Sequence, residues 1–157
     1  MSHIHKLYDF TVSAFIIHNN KLLLLHHKKL NTWLQPGGHV ELDEDPEQVL
    51  WREIEEETGL KRVNLKIIEL SSNRPYATNA KNLPLPFDFN VHAFGNDPVH
   101  KHIDLGYLLH SDTDKVSQNR AESNDLRWFS LQDIENSKND LLPDIYKRAL
   151  FTLNIAL

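Results

Sequence analysis

The stretch GHVELDEDPEQVLWREIEEETGL, Gly38 to Leu60, carries nine acidic residues among twenty-three, against one arginine and one histidine. Its second half reads as a helix. Asp45 is a good N-cap, Pro46 suits the first helical position, Gln48 stands where a capping-box partner belongs, and Gly59 follows the last turn. These signals predict a helix over Pro46 to Thr58. Glu53, Glu56 and Glu57, at i, i+3 and i+4, share one face of it. Val49, Leu50 and Ile54 must face the core. Glu53 and Glu57 project between Val49 and Leu50, and Glu56 lies just beyond Val49, so these acids border the apolar stripe. Glu55 falls on the far, solvated side.

Like charges at i, i+4 destabilise an exposed helix by about 0.2–0.5 kcal/mol per pair, and partial burial adds to the cost. A hard divalent cation resolves the conflict. Mg²⁺ and Mn²⁺ favour oxygen ligands, keep several waters and complete their shell with substrate phosphates. Arg52, one turn before Glu56, is placed to orient a carboxylate through its fork of donors. A lone E-x-x-E-E is more often a salt-bridged helix, so the residues around it decide.

Those residues read Gly38, five positions, Glu44, seven positions, then Arg52-Glu53-Ile54-Glu55-Glu56-Glu57-Thr58-Gly59-Leu60. The segment resembles the Nudix box, G-x5-E-x7-R-E-U-x-E-E-x-G-U with U aliphatic, at every defined position. The preceding WLQPGGHVE is also similar to that family, and the likeness extends loosely through the early hairpin and the late LRWFSLQDI. The resemblance implies a single domain over 1–157 of the Nudix (MutT-like) hydrolase superfamily. It implies an α/β (α+β) fold, an α/β/α sandwich with a mixed β-sheet. It further implies metal-dependent hydrolysis, with Mg²⁺ or Mn²⁺, of a nucleoside diphosphate linked to another moiety: a nucleotide, nucleotide-sugar or dinucleotide type. Glu53, Glu56 and Glu57 would be metal ligands, with backbone groups of Gly38 near the metal, and Glu44 and Arg52 would orient the loop and helix. The general base stays open between Glu56, Glu57, Glu122 and Asp125, the last two in the loop before Trp128. The alternative is a non-catalytic Nudix-fold ligand sensor. A sensor would show eroded box acids and an attached DNA-binding module, and here the acids are complete.

Elsewhere, FTVSAFIIHNNKLLLLHH reads as two strands around Asn19-Asn20, a hairpin signal. KKLNTWLQPGGHVEL reads as a loop turning through Pro36-Gly37-Gly38 into a short extended piece. Strands are predicted for VNLKIIELSS, FDFNVHAF and HIDLGYLLHS. DLRWFSLQDI reads as a strand running into a short helix at Leu131, and DLLPDIYKRALFTLNIAL as a closing helix. A mixed sheet covered by helices on both faces fits this order.

The 157 residues are 40% hydrophobic and 25% charged, with a net charge of −5 and no long Lys/Arg run, which argues against binding extended nucleic acid. With no cysteine there are no disulfides, thiolate nucleophiles or Cys-ligated zinc. No apolar run approaches membrane-spanning length and MSHIHKLYDF has no apolar leader region, so no membrane partner is expected and a cytoplasmic location is the default. A small-molecule nucleotide diphosphate is the expected partner, with a homodimer left open.

In VHKHIDLGY, His100, His102 and Asp104 alternate, so an extended backbone puts all three on one face, with Ile103, Leu105 and Tyr107 on the other. The pattern is similar to an H-x-H-x-D motif in a bacterial branch of the family. His92 comes from the neighbouring segment. Two readings stand side by side: phosphate contacts, a proton shuttle or ligands for a second metal, or hydrogen-bonded residues of a strand. The functional reading places His100, His102 and Asp104 on the wall of the cleft beside Glu57. Arg74 and Tyr76 are further candidates for substrate contact. Family markers of substrate choice fall about sixteen positions beyond the box. Proline there marks ADP-ribose hydrolases and tyrosine dinucleoside polyphosphate hydrolases; here Pro75 and Tyr76 stand fifteen and sixteen beyond Leu60, so the position does not choose between the two labels.

Overall fold

The structure, a computed structural model, describes residues 6–71, 75–94 and 97–155. Its strands are β1 (Tyr8–His18), β2 (Lys21–His27), β3 (Thr32–Leu34), β4 (Gly37–His39), β5 (Leu65–Ile67), β6 (Asp88–Phe94), β7 (Asp97–Ser111) and β8 (Ser123–Ser130). Its helices are α1 (Pro46–Thr58), α2 (Leu131–Asn136) and α3 (Pro143–Ile155). Among the described residues the strands form one mixed sheet, with β1 at its centre. β1 runs parallel to β7 and antiparallel to β2 and β4. β6 and β5 pair with β7, and β3 and β8 with β2.

The β1–β2 turn is made by Asn19 and Asn20, both at positive φ (46° and 58°), which matches the right-handed twist of the flanking strands. Strand alternation then sorts the core into two layers. Val12, Ala14, Ile16, Leu23, Tyr107 and Leu109 face α1, where Val49, Leu50 and Ile54 meet them fully buried. Phe15, Ile17, Leu22, Leu24 and Leu108 face the opposite side and pack on Ile134 of α2 and Ile145, Ala149 and Leu153 of α3. Each such aliphatic burial is worth about 1.5–3 kcal/mol, so both helices are held by their apolar stripes. The result is the α/β/α sandwich with a mixed sheet that the sequence implied.

Three local expectations need correction. VNLKIIELSS yields only the short strand Leu65–Ile67, because its pairing with β7 ends there. The loop before the helix contains two three-residue strands: β3 folds back on the adjoining β2, and β4 is fixed by β1, far back in the chain, rather than by its own pattern. The strand predicted over HIDLGYLLHS begins earlier, at Asp97, which pairs with Phe94 of β6. No described helix is long and apolar enough to cross a membrane.

Candidate active site

Helix α1 is held as its sequence dictates. Asp45 Oδ1 accepts from the backbone N–H groups of Glu47 (2.9 Å) and Gln48 (3.1 Å), and Gln48 Oε1 accepts from Asp45 N–H at 2.8 Å. Gly59 closes the helix in the left-handed region (φ 69°), its N–H donating to Glu55 O at 2.9 Å. This frame points the carboxylates of Glu53 and Glu57 at β4. Glu57 Oε2 accepts from Gly37 N–H at 2.9 Å. A Cβ on Gly38 would stand 2.1 Å from Glu53 Oε1, and one on Gly37 would stand 2.1 Å from Val12 O. Gly37 thus has no room for a side chain against the β1 backbone, and Gly38 leaves open the space that the Glu53 carboxylate occupies.

Arg52 ties the site to its loop. Its Nε and Nη2 donate to the two carboxylate oxygens of Glu44 at 2.7 and 2.8 Å, a bidentate pair. Nη1 donates to Glu53 at 2.7 Å and to Glu56 at 3.4 Å, and Nη2 reaches His39 O at 3.4 Å. One guanidinium thus joins the loop, the glycine strand and the acidic face. It holds the Glu44 carboxyl below its usual range, and those carboxylates drive the arginine itself further toward the charged form.

The three box acids are not equivalent. Glu57 is buried (6% exposed), and burial, reinforced by the charges of Glu53, Glu122 and Glu56, pushes its carboxyl up to about 8 against the Gly37 hydrogen bond. Burial also raises Glu53, opposed by Arg52. Glu56 lies at the surface with its side chain 52% exposed, further out than its place on the helical wheel implies. Glu55 is exposed and pairs with Lys61. The donor set is all oxygen, crowded and partly buried. Arg52 serves Glu53 and Glu56, while Glu57 takes its hydrogen bond from the Gly37 backbone. That suits a hard divalent cation.

An open pocket of about 380 Å³ lies over these groups, lined by Glu53, Glu57, Gly37, Gly38, His39 and Glu122, with His27, Lys28 and Lys29 at its side. Of the two loop acids, Glu122 joins the pocket. Asp125 does not line it; its carboxylate pairs with Arg127 at 3.2 Å and accepts from Leu126 N–H. Lys28 Nζ donates to Arg120 O. Tyr76 is 59% exposed and does not line the pocket, and Arg74 lies outside the described residues.

His100, His102 and Asp104 do share one face of β7, but it is the face toward α3, across the sheet from α1. Asp104 accepts from Thr11 (2.8 Å), Ser13 (2.8 and 2.9 Å) and Arg148 of α3 (3.3 Å). His102 and His92 are paired across β7 and β6, with ring centroids 5.5 Å apart. None of the four lines the pocket; His102 touches His39, which does, Nε2 to Nε2 at 3.2 Å. Burial and the neighbouring imidazoles of His39, His92 and His100 lower His102 to about 4. Two residues of this neighbourhood carry no distinguishing signal in the sequence: His39 is inside the box at an undefined position, and nothing local separates Asp9 from a surface acid.

The sandwich, the glycine strand and the acid-bearing helix set the class of protein, and similarity to known proteins places the chain within it. A model of the NUDIX domain matches residues 7–149. The crystal structure of a NUDIX-family hydrolase from Clostridium perfringens superposes with a TM-score of 0.76 at 31% identity, covering 95% of this chain and 98% of that one. A probable DHNTP pyrophosphohydrolase from Lactococcus lactis subsp. cremoris is 29% identical over 125 residues, 79% of this chain. A MutT-like protein from Streptomyces ambofaciens is 38% identical over 56 residues, 35% of this chain. The matched regions span 64% and 36% of those two relatives. The chain belongs to the Nudix family.

The close approach at Gly38 makes a prediction. In Gly38→Ala the added methyl group must displace the Glu53 carboxylate, which Arg52 holds in place. If Glu53 holds a metal, as its place in the box implies, the expected result is a fall in turnover of at least about 10-fold, the lower end of what disturbing the support of a ligand costs, with a nearly unchanged melting temperature. Unaltered kinetics would show that Glu53 has no fixed position to defend.

Proposed function

We propose that this chain is a metal-dependent pyrophosphohydrolase, cleaving a diphosphate linkage in a nucleotide-like compound by attack of water on phosphorus. The single observation that carries this reading is the pair of inward carboxylates, Glu53 and Glu57, set against the glycine backbone of β4. In this reading Glu53, Glu56 and Glu57, with a backbone group of Gly38, hold Mg²⁺ or Mn²⁺. When bound, the cation supplies Lewis acidity toward the phosphates and a lowered pKa for water. Arg52 and Glu44 keep the acidic face in register with the loop. Lys28 and Lys29 bring positive charge to the side of the pocket from which phosphates approach. Glu122, which lines the pocket opposite the helix acids, is the better candidate than Asp125 for taking the proton of the attacking water.

The substrate is a nucleoside diphosphate linked to another moiety, the class the box motif implies. The name of the Lactococcus relative adds pterin triphosphates to the compounds to assay. The intact box acids favour an enzyme over a ligand sensor. The test is a panel of such compounds, incubated with the metal-stripped chain and with Mg²⁺ or Mn²⁺ restored, with products read by mass. Hydrolysis is expected to stop in chelator and return with metal. Full turnover in metal-free buffer would end this reading.

A further inference from the structure

On the sheet face opposite α1, four imidazoles and one carboxylate converge from four strands: Asp9 of β1, His39 of β4, His92 of β6, and His100 and His102 of β7. Asp9, His100 and His102 are buried (3%, 6% and 6% exposed). His39 Nε2 stands 3.2 Å from His102 Nε2 and 4.0 Å from Asp9 Oδ2, and His100 Nε2 stands 3.3 Å from the same oxygen. Adjacent donors on a tetrahedral zinc ion, with Zn–N near 2.0–2.1 Å, lie about 3.3 Å apart. Among the described residues no three donors already surround one point, so loading requires rotation of the His39 and His102 rings.

The hydrogen bonds behind the cluster set the tautomers. His100 Nδ1 lies 3.3 Å from Lys6 O, an acceptor, so Nδ1 carries a hydrogen and Nε2 is the nitrogen turned toward the Asp9 carboxylate. Asn90 Nδ2 donates to Asp88 at 3.0 Å, which turns its Oδ1 to His92 Nδ1 at 2.9 Å and leaves His92 Nε2 as the lone-pair nitrogen. Backing one ring nitrogen with an oxygen acceptor while the other faces inward is how metal-ligating histidines are supported. Between an imidazole nitrogen and a carboxylate oxygen at this distance stands either a ring proton or a metal ion, and the same atoms serve both.

We propose that Asp9, His39, His100 and His102 form a second cation site, with His92 beside it, suited to a borderline divalent transition metal such as Zn²⁺. It is distinct in chemistry from the all-oxygen group on α1: imidazoles select zinc, cobalt or nickel over magnesium. The two sites lie on opposite faces of β4, where Gly38 turns to Glu53 and His39 turns to His102. This inference does not depend on the proposed hydrolysis.

The probe is Co²⁺, titrated into the untagged, metal-stripped full chain and followed by visible absorption, in the presence of excess Mg²⁺ to saturate the box acids. One Co²⁺ per chain is expected, displaced by Zn²⁺. Affinity should fall at least about 10-fold in His102→Gln and in Asp9→Asn, and stay unchanged in Glu57→Gln. Melting curves establish that each variant is folded, and His100→Gln replaces any that is not. Co²⁺ affinity indifferent to all three cluster substitutions, or lost in Glu57→Gln alone, would overturn the proposal.

Discussion

Glu57→Gln is expected to lower kcat by more than about 100-fold while the protein stays folded. Glutamine has the same shape and its Oε1 can still accept from Gly37 N–H, the 2.9 Å bond that Glu57 makes. What is lost is the negative charge at the most buried of the three box acids. Losing a group that merely supports a metal ligand costs about 10–100-fold, so losing the charge of a carboxylate proposed to be a ligand should cost more. Glu55→Gln is the internal comparison. Glu55 is exposed and paired with Lys61, and its replacement should change kcat less than about 2-fold, as for surface positions without a role. A Glu57→Gln variant within a few-fold of the parent enzyme would remove the helix acids from the chemistry.

The same residue should make the metal-free protein less stable as pH rises from 6.5 to 8. Glu57 is pushed up to about 8 from an ordinary 4.5, so the folded state holds its proton more tightly than the unfolded chain. Stability is then lost progressively between those values as pH increases. His102, lowered to about 4 from 6.5, acts oppositely: its contribution grows between pH 4 and 6.5 and is complete above. His27, also lowered, behaves likewise. Glu44, Asp45, Glu47 and Asp133 are lowered from values of 4.5 or below and titrate beneath this window. Glu53, also raised by burial, acts in the same direction as Glu57, so between pH 6.5 and 8 the loss comes from the buried box carboxylates, Glu57 foremost. About 1.5 pH units at about 1.4 kcal/mol each gives a loss of about 2 kcal/mol, or a melting point lower by about 4–8 °C for a chain of this size. Glu57→Gln should flatten the profile, and Mg²⁺ should reverse it, because cation binding favours the ionised form. A chelated parent protein with a flat melting profile across this window would mean that Glu57 is not held protonated by its surroundings.

Much of the site is legible in the amino-acid sequence. The caps of α1, the spacing of Glu53, Glu56 and Glu57, and the glycines at 37, 38 and 59 are all local features. They depend on groups within a few residues of one another, and each appears where its neighbours in the chain dictate. The Asn19-Asn20 turn is of the same kind. Strands β3 and β4 are not legible. Three residues are too few to carry a period, and although β3 folds back on the adjoining β2, β4 is placed by β1, a segment far away in sequence.

The chain by itself determined the α/β/α order, the capped acidic helix and the fact that His100, His102 and Asp104 share a face, because side-chain direction follows from the period of a helix or a strand. Which way that face points could only come from the tertiary structure. The parallel register of β7 on β1 sets Thr11 beside Asp104 and Asp9 beside His102, and the antiparallel register of β4 sets His39 beside Thr11. Those pairings send the histidines to the α3 side and leave the α1 side to Val12, Leu105 and Tyr107. A strand's alternation is symmetric between its two faces, so only its neighbours decide which one meets the carboxylates. The burial that raises Glu57 and leaves Glu56 in solvent has the same origin: the Glu57 carboxylate turns in to the N–H of Gly37 on β4, and that of Glu56 turns out.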